Sequence, residues 1–144
     1  MPRELLGRQV GQARRVRLEL RLIADVGLLR AFGELRADGV LPAGMKAKVS
    51  VLLPVSNPVT ARLLVDLGAD TLNLPTDLTL AQIAAIRTAV DVPLDVYVEA
   101  PASGGGYVRH YDLPELARVA APLHAKFGVR TAPDLYPVGG HTLD

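Results

Sequence analysis

The 144-residue chain sets 16 Lys and Arg against 15 Asp and Glu, is 49% hydrophobic and contains no cysteine. Its near-neutral balance argues against a nucleic-acid footprint or a polybasic membrane surface. The missing cysteines exclude disulfides, thiol nucleophiles, and cysteine-held zinc or iron–sulfur clusters.

The opening MPRELLGRQVGQARRVR is polar and basic and has no apolar stretch of the kind a secretory signal needs. Residues 1–16 therefore read as an N-terminal polar segment, ahead of one domain over residues 17–130 and a turn-rich tail over 131–144. No apolar run approaches the roughly 18 residues of a membrane span, so a cytoplasmic chain is the expectation.

Residues 17–24 (RLELRLIA) predict a first strand, and LLRAFGELR predicts a helix closing at Asp38-Gly39. A second strand follows over residues 46–53 (KAKVSVLL). Asn57 then caps a helix that has Pro58 in its first position and ends at Gly68. DTLNL is a short third strand, and residues 78–90 form a helix capped by Asp77 or Thr79. Residues 93–100 make the fourth strand, residues 113–121 a helix, and residues 123–128 the fifth strand.

Strand–helix alternation at this spacing predicts βαβ units, right-handed crossovers and a parallel sheet. A doubly wound sheet would need strands that are apolar on both faces. These strands alternate instead: Arg17, Glu19 and Arg21; Lys46, Lys48 and Ser50; Thr71 and Asn73; Asp95, Tyr97 and Glu99; His124 and Lys126. One polar face beside one apolar face predicts a partial (β/α)8 TIM-type barrel. It would hold about five of the eight units of a complete barrel of about 250 residues. Such a piece is expected to be truncated, or to pair as a homo-oligomer or with the missing half of the barrel, because its edges are open.

Barrel chemistry gathers on the loops after the C-terminal strand ends. The candidates there are Asp25, Asn57, Asn73, Asp95, Tyr97, Glu99 and Lys126, with Arg109 and His110 beyond the glycine loop. Asp25 reads equally well as a turn residue, and Asn57 reads first as a helix cap. Glu99 is the sharpest candidate for acid–base work, with Lys126 or Arg109 as anion holder; the rival reading makes those same cations structural ion-pair partners of Glu99. Gly104, Gly105 and Gly106 lack Walker or dinucleotide spacing. The long connection they open reads as a substrate lid closed by Tyr107, Arg109, His110 and Tyr111. His110, His124 and His141 have no ligand spacing, so no metal and no other cofactor is assigned; a divalent cation is the lesser alternative.

The blocks KVSVLLPVSNPVTARLLVDLGADTLNLPTDLTLAQIAAIRTAVDVPLDVYVE and GGGYVRHYDLPELARVAAPLHAKFG resemble the later part of bacterial collagenase-like peptidases (peptidase family U32). RLIADVGLLRAFGELRADG is similar to the strand and helix before them, and the earlier strands of the family have no counterpart. The resemblance implies a (β/α)8-type barrel and a peptidase or hydrolase label, and it transfers no catalytic residue by position. Relatives that hydroxylate RNA or quinones hold iron–sulfur clusters on cysteines, which this chain lacks.

The resulting expectation is a peptidase-like domain binding a small polar or peptide-like ligand at the strand C-termini. Catalysis, if present, would fall to Glu99 and Lys126, with no nucleic-acid or membrane partner. The alternatives are a non-catalytic half-barrel acting as an assembly subunit, and an aldolase-like or phosphate-binding barrel enzyme.

Overall fold

A computed structural model describes residues 20–100 and 106–127. Four helices alternate with five parallel strands: β1 (Leu20–Ile23), α1 (Val26–Ala37), β2 (Lys46–Val49), α2 (Pro58–Asp66), β3 (Thr71–Asn73), α3 (Leu80–Ala89), β4 (Leu94–Tyr97), α4 (Leu113–Ala120) and β7 (Leu123–Lys126). Between β4 and α4 the chain forms β5 (Glu99–Ala100), β6 (Tyr107–Val108) and one 3-10 turn (His110–Asp112). The parallel sheet runs β1-β2-β3-β4-β7, while β5 and β6 pair antiparallel.

The first three helices begin where a side chain can satisfy an orphan backbone donor, while α4 starts with Pro114 in its first turn and no side-chain cap. Asp25 Oδ1 accepts from the Leu28 N–H at 2.7 Å, and Asn57 Oδ1 from the Thr60 N–H at 2.9 Å. Of the two caps foreseen for α3, Thr79 is the one used, in a reciprocal capping box with Gln82. The turns after α1 and α2 end at Gly39 and Gly68, with φ of 74° and 106°, a region open to glycine at little cost.

Sequential strand order means that every crossover advances the sheet by one position in the same sense, which leaves all helices on one side. A single core confirms this: Leu29 and Phe32 of α1, Ala61 and Leu64 of α2, Ile83 and Ile86 of α3, and Leu116 and Ala120 of α4 pack with Ala47, Val49, Leu72, Leu94 and Val96 of the strands. The chain is thus α/β, with the one-sided helix layer of a partial barrel and the other sheet face left open.

The parallel register fixes which side chains share that open face. Lys48 lies opposite Thr71, Asn73 opposite Asp95, Asp95 opposite His124, and Tyr97 opposite Lys126. On four strands this is the face expected from the alternation. On β1 the expectation is inverted. Leu20 pairs with Lys46 and Leu22 with Lys48, so two leucines join the polar face, 46% and 64% exposed. Arg21 instead shares the helix-side face with Ile23, because burying Ile23 beside Val49 sets the phase of the strand. Residues 17 and 19, foreseen on the polar face, lie outside the described residues.

Two further boundaries differ. The second strand stops at Val49, where Ser50 turns the chain: its carbonyl accepts from the Leu53 N–H and its hydroxyl from the Leu52 N–H. The fourth strand breaks at Val98 and continues as the β5–β6 hairpin, with Glu99 opposite Val108.

α1 and the end of α2 meet without room for a side chain. A Cβ on Gly33 would stand 2.4 Å from the Leu67 carbonyl oxygen. Beside this contact Arg36 spans three elements, donating to the carbonyls of Met45 (3.0 Å) and Gly68 (2.8 Å) and to the Asp70 carboxylate.

Candidate functional site on the open sheet face

Asp95 sits at the centre of β4 and is 0% exposed. A carboxylate taken this far from water is costly unless cations and donors surround it. Here the neighbouring strands supply them. The Lys48 ammonium on β2 forms an ion pair with Oδ2, and His124 Nδ1 on β7 lies 2.9 Å from Oδ1. Lys126 Nζ stands 4.0 Å from Oδ2. Oδ2 is thus served by the Lys48 ammonium at close contact and by Lys126 from farther off.

Asn73, the register partner of Asp95 on β3, is 3% exposed and its Oδ1 has no hydrogen-bond partner. A buried acceptor left this way costs about 1–3 kcal/mol. Such a cost on a sheet face that carries two lysines marks a place where a ligand donor would be rewarded.

Tyr97 completes the group one step toward the C-terminal strand end. Lys126 Nζ donates to its hydroxyl at 3.0 Å and stands 4.1 Å from the ring centroid. That hydrogen bond draws the Tyr97 hydroxyl below its ordinary tyrosine value, against the opposing effect of burial and with help from the Asn73 side chain. The Asp95 charge opposes the shift only weakly.

Glu99 lies just past this row, 4% exposed. Its expected partners were Lys126 and Arg109. Its actual partner is His110, whose Nε2 contacts Oε1. Lys126 is drawn instead to Tyr97 and Asp95, and Arg109 bonds to Asp112 Oδ2 (3.0 Å) and the Leu78 carbonyl (3.1 Å), bracing the 3-10 turn against the start of α3. The His110 side chain is 40% exposed, with its ring 6.1 Å from that of Phe127.

Asn73, Asp95, Tyr97 and Lys126 are therefore brought together, and Glu99 with His110 forms a second pair beside them. Asp25 and Asn57 commit their side-chain oxygens to helix caps. Gly106, with φ of 58°, leads into β6, where the chain pairs back onto Glu99–Ala100. Gly104 and Gly105 lie outside the described residues, while the foreseen closing residues Tyr107, Arg109, His110 and Tyr111 run through β6 into the 3-10 turn. Among the described residues no group of three or more His, Asp or Glu has the arrangement of a metal site, and no helix is long and apolar enough to cross a membrane. Sequence reasoning set Lys48 and His124 on the polar face without naming them as site residues. Their signal was the same period of two that identified Asp95.

A one-sided parallel sheet with charged and amide groups on its bare face defines an α/β protein of the partial-barrel class. The model of Peptidase family U32 matches residues 4–102, and the chain belongs to that family. Among solved structures it is similar to the U32 peptidase Mk0906, at 18% identity and a TM-score of 0.45, over 88% of this chain and 49% of that one. The chain thus spans about half the length of that protein. No curated protein matches it. The family match takes in Lys48, Asn73, Asp95, Tyr97 and Glu99, while His110, His124 and Lys126 lie beyond it.

Proposed function

We propose that this chain is a peptidase-like domain that binds a small polar or peptide-like ligand on the open face of its sheet, toward the strand C-termini. The observation that carries the reading is Asn73 Oδ1, a buried acceptor with no hydrogen-bond partner among the described residues, set beside the charged group of Lys48, Asp95 and Lys126. A peptide offers what the cluster lacks: an N–H or ammonium donor for Asn73, and a carboxylate or carbonyl oxygen for the lysines. Membership of a peptidase family favours hydrolysis of such a ligand. Glu99 with its solvent-facing partner His110 is then the nearest acid–base pair.

The test is incubation with a defined mixture of three- to ten-residue peptides, with bound and cleaved species read by mass spectrometry. Asp95→Asn and Lys126→Gln should each weaken retention roughly ten- to hundredfold, the equivalent of one charge-assisted hydrogen bond. Cleavage, where seen, should fall in His110→Gln with retention kept. Equal retention by wild type and both variants would contradict the reading.

A second reading, association with another copy of the chain, is favoured by Leu20 and Leu22, which stand exposed on the same face beside Lys46 and Lys48. It predicts a dimer by sedimentation that Leu22→Asp dissociates; a monomer at all concentrations would dismiss it.

A further inference from the structure

The open-face cluster contains one group whose surroundings suit proton transfer better than binding. Tyr97 accepts a hydrogen bond from Lys126 Nζ of β7 at 3.0 Å, and the same ammonium stands 4.1 Å from its ring centroid. A cation placed there stabilises the phenolate and draws the hydroxyl below its ordinary tyrosine value, with the Asn73 side chain of β3 acting in the same direction. Asp95, two residues back on the same strand, is a negative charge facing it. Lys48 on β2 and His124 on β7 both contact Asp95, and the Lys48 ion pair offsets that charge.

The tyrosine is partly open to solvent while the groups behind it are buried, so a ligand on the sheet face would meet the hydroxyl before Asp95. This contrasts with Tyr111, whose side chain is wholly exposed.

We propose that Tyr97 is a further proton-transfer group of the open-face site, beside Glu99 and His110, working through a phenolate that Lys126 Nζ stabilises from 3.0 Å. The assignment rests on the reading of that face as a ligand site. In the forward step the Tyr97 oxygen takes a proton from a donor on the ligand or from a water beside it. In the return step the same proton goes back to the product. Lys126 keeps its own protons throughout and acts as a positioning residue.

The same chemistry makes Tyr97 the tyrosine most reactive toward an arylsulfonyl fluoride. Its phenolate oxygen would form the S–O bond as the S–F bond breaks and fluoride leaves, the phenol proton having passed to solvent. The chain has four tyrosines, so exposure and activation can be separated within one molecule.

The experiment is an ultraviolet titration of tyrosinate in wild type, Tyr97→Phe, Tyr111→Phe and Lys126→Gln, followed by sulfonyl fluoride labelling and peptide mapping. Subtracting each Phe variant from wild type isolates one tyrosine. Tyr97 should ionise at lower pH than Tyr111, Lys126→Gln should move that early transition upward, and labelling should reach Tyr97 before the more exposed Tyr111. Should Tyr97→Phe fail to fold, the early transition and its movement in Lys126→Gln decide alone. Coincident curves for Tyr97 and Tyr111, an unmoved curve in Lys126→Gln, or preferential labelling of Tyr111 would each overturn the proposal. Peptide retention is read separately. Ordinary ionisation with Asp95-dependent retention would reject this inference and keep the binding site. Early ionisation without retention would reject the site as well.

Discussion

Two aspartates in this molecule face the same physical problem and are answered differently. Asp70, just before β3, is 21% exposed at its side chain and accepts from the Ala47 N–H at 2.9 Å, from Lys46 Nζ at 3.1 Å and from the Arg36 guanidinium. Burial alone would raise its carboxyl, but these donors outweigh it and hold the group below the ordinary aspartate value. Asp95, on the same sheet one strand along, is more deeply buried and meets side chains from two neighbouring strands, Lys48 and Lys126 at Oδ2 and His124 at Oδ1. The first carboxylate closes a structural clamp between α1, β2 and β3. The second stands on the sheet face that no helix among the described residues covers, next to Asn73, whose buried Oδ1 has no partner there. Saturated polar groups hold a fold together; undersatisfied ones on an open face await something else.

The largest test of this contrast is Asp70→Ala. It strands Arg36, which is 19% exposed at its side chain, and should cost about 3 kcal/mol in denaturant unfolding, as when one partner of a buried pair is removed. The same carboxylate sets a pH dependence. Because its folded value is depressed, its contribution is fully present above the unfolded aspartate value near pH 4 and is lost as pH falls through the lower folded value. Wild type should therefore lose stability more steeply below about pH 4 than Asp70→Asn, measured as denaturation midpoints across that range.

Next in size is Gly33→Ala. In an open helix this exchange would stabilise by up to about 1 kcal/mol. Here the new methyl would meet the Leu67 carbonyl oxygen, so a net loss of about 1–3 kcal/mol is expected, read as a lowered melting temperature. A gain would mean that α1 and α2 can move apart and that the clamp is softer than described.

Asp95→Asn should have the smallest effect on folding, about 1 kcal/mol, since the amide keeps the shape of the carboxylate and an acceptor oxygen for its neighbours. A loss as large as that of Asp70→Ala would erase the distinction between the two aspartates.

Much of this arrangement was legible in the sequence because it depends on local spacing. The caps at Asp25, Asn57 and Thr79 follow from short-range chemistry, and the alternation of Asp95 and Tyr97 with Val96 and Val98 marked the polar face. What was not legible depends on tertiary pairing. Arg21 and Leu22 alternate equally well in either phase, and only the burial of Ile23 against β2 decides which side faces the helices. By sequence Glu99 had Lys126 and Arg109 as candidate partners, and the β5–β6 hairpin, invisible in a glycine-rich run, brings His110 to it instead. The convergence of Lys48, Lys126 and His124 on one carboxylate required the strand register, which no single strand specifies.

The claim that the open face is a ligand site is tested most directly by native mass spectrometry of wild type and Asp95→Asn, each mixed with the same three- to ten-residue peptides. The account predicts peptide adducts on the wild-type chain that are depleted roughly tenfold or more on a variant of unchanged fold. Adducts of equal abundance on both, or none on either, would contradict it.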